Sequence, residues 1–468
     1  MCIKRQICRL LFVHVIISSG SFCLAQSLPV KSDVAAKMVL VDDYWINGHN
    51  TDALIGNQDW ARAAYFVGNM AMYYTNNDQK YLTYARSWAN KWKWTLVGGN
   101  TNRLADAQCC GQTYIELYNI DTTGSNLTNI TTNIDYMVNS TKKDDWWWCD
   151  ALFMAMPVFT KIGSLYNNSS YFNKLYDLYS DCKTRRKLYD TTAHLWYRDG
   201  NFVYPNHPTP NGKKCFWSRG NGWAFAAHAR TLQLLPTSDP HYNEYLATFK
   251  KMASALKDVQ RSDGFWNVSL YDPQDFPGPE TSGTSFFTYG LAWGINNGFL
   301  DKVTYETVVA KAWNGLTSIA VHSDGFLGYV QGVGSAPSSS QLVTYNHTAD
   351  FGVGAFLLAG SEVYKLAGTT GVAQTSETPT DYTLNQNYPN PFNPSTVISY
   401  HLPAVSQVQI KVFDLLGREV VTLVNEIQQP GIHEAIFNAQ NLSLTSGIYF
   451  YTMNTGKFVQ TKKMILIK

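Results

Sequence analysis

Between about Asp42 and Leu366, apolar residues recur at the three- and four-residue spacing of an amphipathic helix. "WARAAYFVGNMAMYYTNN" (Trp60 to Asn77) shows it, and "QKYLTYARSWANKWKW" repeats it after a polar turn. Similar runs follow "DDWWW", "WSRGNGW", "SGTSFFTYGLAWGINNG" and "YNHTADFGVGAFLLAGSEVYKL", separated by loops rich in Gly, Asp and Asn. Extended pieces are short: "LWYRDG", "DGFWNVSL" and "DGFLGYVQG". Each pairs Asp-Gly with aromatics beside a long helix, as a degenerate helix-hairpin repeat would, and about six hairpins fit the interval. A closed ring of such hairpins makes a double layer of helices with loops converging at one end. The regular strand–helix alternation of a parallel α/β fold is absent.

After Leu366 the pattern breaks. Residues 367–380 read as a Thr-, Ser- and Gly-rich linker. From about Asp381, "STVISYHLP", "QVQIKVFDLLG", "REVVTLV", "HEAIFNAQ", "GIYFYTMNTG" and "FVQTKKMILIK" have the period-two pattern of strands. Together they predict a small β-sandwich over 381–468. At the other end, Lys4, Arg5 and Arg9 precede the apolar "LLFVHVIISSG", and Ala25 offers a small residue before a cut. Residues 1–25 thus read as a signal peptide, since the apolar run is shorter than the ~20 residues of a spanning helix. Phe22 is too bulky for a lipidation signal at Cys23. The mature chain is expected to have no transmembrane segment, and the barrel domain to run over 26–366.

Composition narrows the function. A net charge of +2, with Lys and Arg scattered, argues against nucleic acid as a partner. The aromatic fraction of 14% suits either a helical core or sugar rings, which have apolar faces and hydroxyl rims. Cys109, Cys110, Cys149, Cys182 and Cys215 remain after the signal, an odd set that reads as buried free thiols.

Three segments carry candidate chemistry. In "DDWWWCDALFMAMP" a helix capped by Asp144 or Asp145 would put Asp150 on one face with Trp146 and Trp147, with Phe153 and Met154 continuing it. Desolvation there would raise the pKa of Asp150 and keep a proton on it for general acid work. In "NRLADAQCCGQTYIELY", Asp106 is a second carboxyl with no partner nearby in sequence, and Glu116 reads as a surface residue. In "CFWSRGNGWAFAAHAR", Arg219 lies between Trp217 and Trp223, and Gly220 and Gly222 would let the backbone bend around a ligand. A guanidinium can grip a carboxylate with two hydrogen bonds.

On the motifs "NQDWARAAYFVGNMAMYY", "ADAQCCGQTYIELY", "WWWCDALFMAMPVFTKIG" and "FWSRGNGW", in this order, the chain resembles the unsaturated glucuronyl and rhamnogalacturonyl hydrolases, glycoside hydrolase families 88 and 105, with 105 the nearer. That resemblance implies an all-α (α/α)6 barrel and no metal or cofactor. Catalysis would fall on Asp150 and Asp106, and substrate binding on Trp146, Trp147, Trp217, Arg219 and Trp223, with Arg219 anchoring a uronate carboxylate. Where some members carry a His, Arg198 stands, and it joins the binding set; His194 and His207 do not align with that His. The substrate implied is a lyase-cut oligosaccharide ending in a 4,5-unsaturated uronic acid, rhamnogalacturonan disaccharide first among the choices. The tail, with "NYPNPFNPSTVISYHLP", "VFDLLGREV", "SGIYFYTMNTG" and "KKMILIK", resembles type A sorting domains of type IX secretion. It implies export to the surface or outside of a Gram-negative cell, with the outer-membrane type IX machinery as partner. Two alternatives stay open: an inverting glycosidase acting on saturated sugars, and an inactive barrel that only binds sugar.

Overall fold

The computed structural model describes residues 27–49, 56–368, 381–387, 390–392, 394–428, 430–439, 442 and 444–466. The expected signal peptide (1–25) and residues 369–380 of the expected linker lie outside the described residues. The chain divides between Gly371 and Val372 into two compact units.

The first unit holds helices α1 (Lys31–Gly48), α2 (Trp60–Asn76), α3 (Gln79–Lys91), α4 (Ala105–Gln108), α5 (Cys110–Ile120), α6 (Thr128–Val138), α7 (Ala151–Leu165), α8 (Ser169–Ser180), α9 (Ser218–Leu232), α10 (Tyr242–Lys257), α11 (Thr281–Asn296), α12 (Lys302–Gly315) and α13 (Asp350–Leu366). Helices α2, α5, α7, α9, α11 and α13 pack side by side in that order, and α13 closes on α2. The others lie outside: α3 on α2 and α5, α8 on α7, α10 on α9, α12 on α11, and α1 on α13. This is the (α/α)6 barrel. Sequence sorts the two layers. Every residue of α9 is buried, Arg219, Asn221, His228 and Arg230 included, as befits a helix enclosed by others. Helix α3 buries one stripe, Tyr81, Tyr84, Ala85, Trp88 and Ala89, and turns its polar side outward.

Closure of the ring needs small residues at its seam. A Cβ on Gly68 of α2 would lie 2.3 Å from the carbonyl oxygen of Gly354 on α13, so the two helices meet backbone to backbone. Acidic caps start two of the inner helices, α2 and α11, at the functional end. The Asp59 side chain accepts from the Trp60 amide at 2.8 Å, and Glu280 accepts from the amides of Ser282 and Gly283. The short extended pieces build loops there: strand β1 (Tyr189–Asp190) pairs with β2 (Leu195–Trp196), and Val321 bridges Leu327.

Glu116 is not a surface residue. Its Oε1 accepts from Lys161 Nζ at 2.8 Å and from Arg230 Nη2 at 2.9 Å, joining α5, α7 and α9 near their C-terminal ends. A single helix pattern cannot show this, because both cations come from other helices.

The second unit is a β-sandwich. Strand β4 (Ser395–Leu402) lies between β3 (Thr383–Leu384) and β7 (Gly431–Asn438). The other sheet runs β6 (Glu419–Gln428), β5 (Ser406–Phe413), β8 (Gly447–Asn454), β9 (Val459–Leu466), all antiparallel. In β5, Val408, Ile410 and Val412 point into the core and Gln407 points out, the expected alternation. No helix among the described residues is long and apolar enough to cross a membrane.

Candidate active site

The N-terminal ends of the inner helices surround a cavity of about 160 Å³. Asp106 of α4, Asp150 before α7 and Arg219 of α9 face it, with Arg198 from the loop after β2. Trp60, Trp148, Trp217 and Trp223 supply aromatic wall, and Met154, Val333 and Gly334 complete it. Ring closure thus gathers carboxyls and guanidinia that are far apart in the chain.

Helix α7 starts later than expected. Its first residue is Ala151, and Asp150 is its N-cap residue. Asp150 makes no capping hydrogen bond, so its carboxyl is left for the cavity. Neither Asp144 nor Asp145 caps a helix. Asp145 is buried and takes two hydrogen bonds from Arg103, at 2.8 and 2.5 Å. Trp148 forms a bridge with Asp199, which holds the preceding residues extended.

The expected Trp146–Trp147–Asp150 face therefore does not exist. Trp146 is fully buried against Phe159 and does not line the cavity. Trp147 is 43% exposed and stacks under the Arg198 guanidinium, 5.3 Å from ring centre to Cζ. Trp148, which helical spacing passed over, is the tryptophan of this run that walls the cavity. Met154, one turn after Asp150, does face it, while Phe153 packs on Trp223 at 4.7 Å.

Asp150 is 8% exposed. Burial raises its pKa; Arg198, the Cys149 thiol and Arg219 oppose that rise. The thiol donates to Oδ1 at 3.3 Å, and Arg198 Nε stands 3.9 Å from Oδ2. Asp106 is pushed up to about 7, first by burial and then by the charges of Asp150 and Asp59. Two carboxyls thus hold their protons more tightly than free aspartate does, each for the same leading reason.

Arg219 is 1% exposed, and burial pulls its pKa down to about 10. It lies between the rings of Trp217 and Phe351, at 4.5 and 4.7 Å. Its Nη1 donates to the carbonyl of Gln331 at 2.6 Å and its Nη2 to that of Gly332 at 2.9 Å. The Gln331 side chain accepts from Trp217 Nε1 and donates to the carbonyls of Ala336, Pro337 and Ser339. Arg219, Trp217 and Gln331 together fix the segment that carries Val333 and Gly334. Gln331 stands near the end of the extended piece "DGFLGYVQG", but nothing in the sequence tied that piece, or Val333 and Gly334 after it, to the cavity, since only the folded loop brings them over it.

Gly220 and Gly222 do not bend a loop; both lie inside α9. A Cβ on Gly220 would lie 3.0 Å from the Trp217 ring and 3.5 Å from Asp150 Oδ1. A Cβ on Gly222 would lie 3.0 Å from that of Phe286 on α11. They allow close packing around the carboxyl. His194 pairs with the Tyr189 hydroxyl and His207 packs on Phe202, both outside the cavity lining. The five cysteines from Cys109 onward are free and buried.

Residues 37–367 match the profile of Glycosyl Hydrolase Family 88, and residues 386–468 that of the secretion system C-terminal sorting domain. The chain belongs to glycosyl hydrolase family 88. It is similar to an unsaturated 3S-rhamnoglycuronyl hydrolase of Formosa agariphila, 33% identical over 78% of this chain and 99% of that one. A solved family 88 structure from Bacteroides vulgatus is 37% identical, covering 72% of this chain and 99% of that one, with a TM-score of 0.68. Another, described as a polysaccharide lyase, is 39% identical over 72% and 98%, also with a TM-score of 0.68. As a family 88 member the protein is a glycoside hydrolase. Its tail marks it for type IX export to the cell surface or beyond.

Proposed function

We propose that the enzyme removes a 4,5-unsaturated uronic acid from the non-reducing end of lyase-generated oligosaccharides by hydrating its C4=C5 enol ether. The observation that supports this is a buried Asp150, its pKa raised by burial, in an aromatic cavity shared with a second raised carboxyl, Asp106. Asp150 gives its proton to C4, and positive charge develops at C5 and the ring oxygen. Asp150, now ionised, or Asp106 beside it, takes a proton from the water that adds to C5. The resulting hemiketal opens and the next sugar leaves, with one water consumed. No carboxylate needs to reach the anomeric carbon.

In this reading Trp148, Trp217 and Trp223 exclude water and meet the sugar's apolar face. Arg219 keeps the Val333–Gly334 segment over the ring. The cavity is small, so the leaving sugar lies outside it, toward exposed Trp147. On the relative's name, unsaturated uronides linked to rhamnose are the substrates to try first, the rhamnogalacturonan disaccharide among them. Residues 1–25 serve as the signal peptide, and the tail is read by the outer-membrane type IX machinery.

The test is a panel of lyase-generated disaccharides followed by ultraviolet absorbance. Hydration removes the conjugated band. A lyase would create it, and a glycosidase acting on saturated sugars would leave it unchanged. An unchanged or rising signal with every member of the panel sinks the proposal.

A further inference from the structure

Arg198 and Arg219 share the cavity but are committed differently. Arg219 spends Nη1 and Nη2 on the carbonyls of Gln331 and Gly332, and aromatic rings cover it on two sides. Arg198 is held from the outside. Its Nη1 donates to Asp199 Oδ2 at 2.7 Å, and its Cζ lies over the Trp147 ring. Its Nε is buried and has no hydrogen-bond partner among the described residues. At 3.9 Å from Asp150 Oδ2 that N–H is beside the acid without being bonded to it.

A buried donor left unpaired is costly, and an incoming oxygen would recover that cost. The side chain is already ordered, so little rotamer entropy is lost on binding. We infer that Arg198, through its unpaired Nε edge beside Asp150, is the receptor for the carboxylate of the unsaturated uronate, and that it selects the free acid over the uronate ester. The stereochemistry of the substrate agrees. C4, which takes the proton, and the carboxylate carbon are both bonded to C5. A proton donor for one and a receptor for the other must therefore stand a few ångströms apart, as Asp150 and Arg198 do. Arg219 is then a positioning residue for the cavity roof.

The inference rests on the hydration reading above, and it places the enzyme in a sequence of reactions. The class of reaction that supplies its substrate is β-elimination of a uronan at an unesterified uronate. Any methyl ester at that position has to be hydrolysed first.

The experiment compares one unsaturated uronide disaccharide as the free acid and as its methyl ester, with wild type, Arg198→Gln and Arg198→Lys. Wild type should prefer the acid by about 10–100-fold in kcat/KM, the range of charge-assisted hydrogen bonds. Arg198→Gln should lose that preference, with a KM increase on the acid and the acid-to-ester ratio of kcat/KM falling toward one. Arg198→Lys, which restores charge without the planar edge, should recover part of it. Calorimetric binding of the acid to Asp150→Asn, with and without Arg198→Gln, should show the same loss independently of turnover. If wild type consumes both forms equally, or Arg198→Gln slows both in the same proportion, Arg198 does not read the carboxylate and the inference fails alone. If wild type consumes neither form, the hydration reading fails and takes this inference with it.

Discussion

Replacing Cys149 with alanine should move the alkaline limb of the pH–rate profile upward. The thiol donates to Asp150 Oδ1 at 3.3 Å, and it stabilises the ionised carboxyl more than the neutral one. Burial holds the pKa of Asp150 above that of free aspartate, and the thiol is one of three groups that oppose the rise. A neutral hydrogen bond contributes about 1 kcal/mol net, and an S–H is a weak donor to a charged acceptor. Since one pH unit corresponds to about 1.4 kcal/mol, losing the bond should shift the limb by roughly half to one unit. The sign follows from the role. The general acid works protonated, so activity is retained until pH exceeds its pKa, and raising that pKa extends activity to higher pH. Asp106 and Asp150 interact, so the limb belongs to the pair and not to one carboxyl. The assay is kcat/KM against pH, followed by loss of ultraviolet absorbance, with a melting curve to confirm the fold. An unmoved limb, or one displaced to lower pH, would refute the role given to the thiol and to a protonated Asp150.

Asp150→Asn, nearly the same shape without the proton, should lower kcat by about 10²–10⁴-fold while substrate still binds in calorimetry; undiminished turnover would remove Asp150 from the chemistry. Gly68→Ala should destabilise the barrel by about 1–3 kcal/mol or more, because its Cβ meets backbone 2.3 Å away on α13; denaturant melts read this, and a neutral result would mean the seam is looser than drawn. Asp42, buried under hydrogen bonds from Tyr65 and Asn69, has its pKa raised from 3.8 to about 7. Its contribution to stability is therefore full at low pH and is lost as pH rises through about 7, by about 4 kcal/mol. Asp42→Asn should gain on wild type between pH 5 and pH 8 in chemical denaturation, and a pH-independent difference between them would contradict this.

The helices and strands were legible in the chain because their causes are local. The 3.6-residue period of "WARAAYFVGNMAMYY" and the two-residue period of "QVQIKVF" each bury one set of side chains in only one kind of element. Asp106, Asp150, Arg219 and Trp223 stood out in the chain because unpaired carboxyls and an Arg among indoles are costly without a use, and all four line the cavity. Other features were decided only by the folded chain. Arg103 draws Asp145 away from a cap, and Asp199 bridges Trp148, so α7 begins at Ala151 and the tryptophan facing the cavity changes from Trp146 to Trp148. Gln331, Val333 and Gly334 reach the site from a loop, and Glu116 acquires two cations from other helices. Periodicity specifies which face of a segment avoids water. It does not specify which remote partner captures a given side chain, and such partners set the start of α7 while ring closure set the company of Asp150.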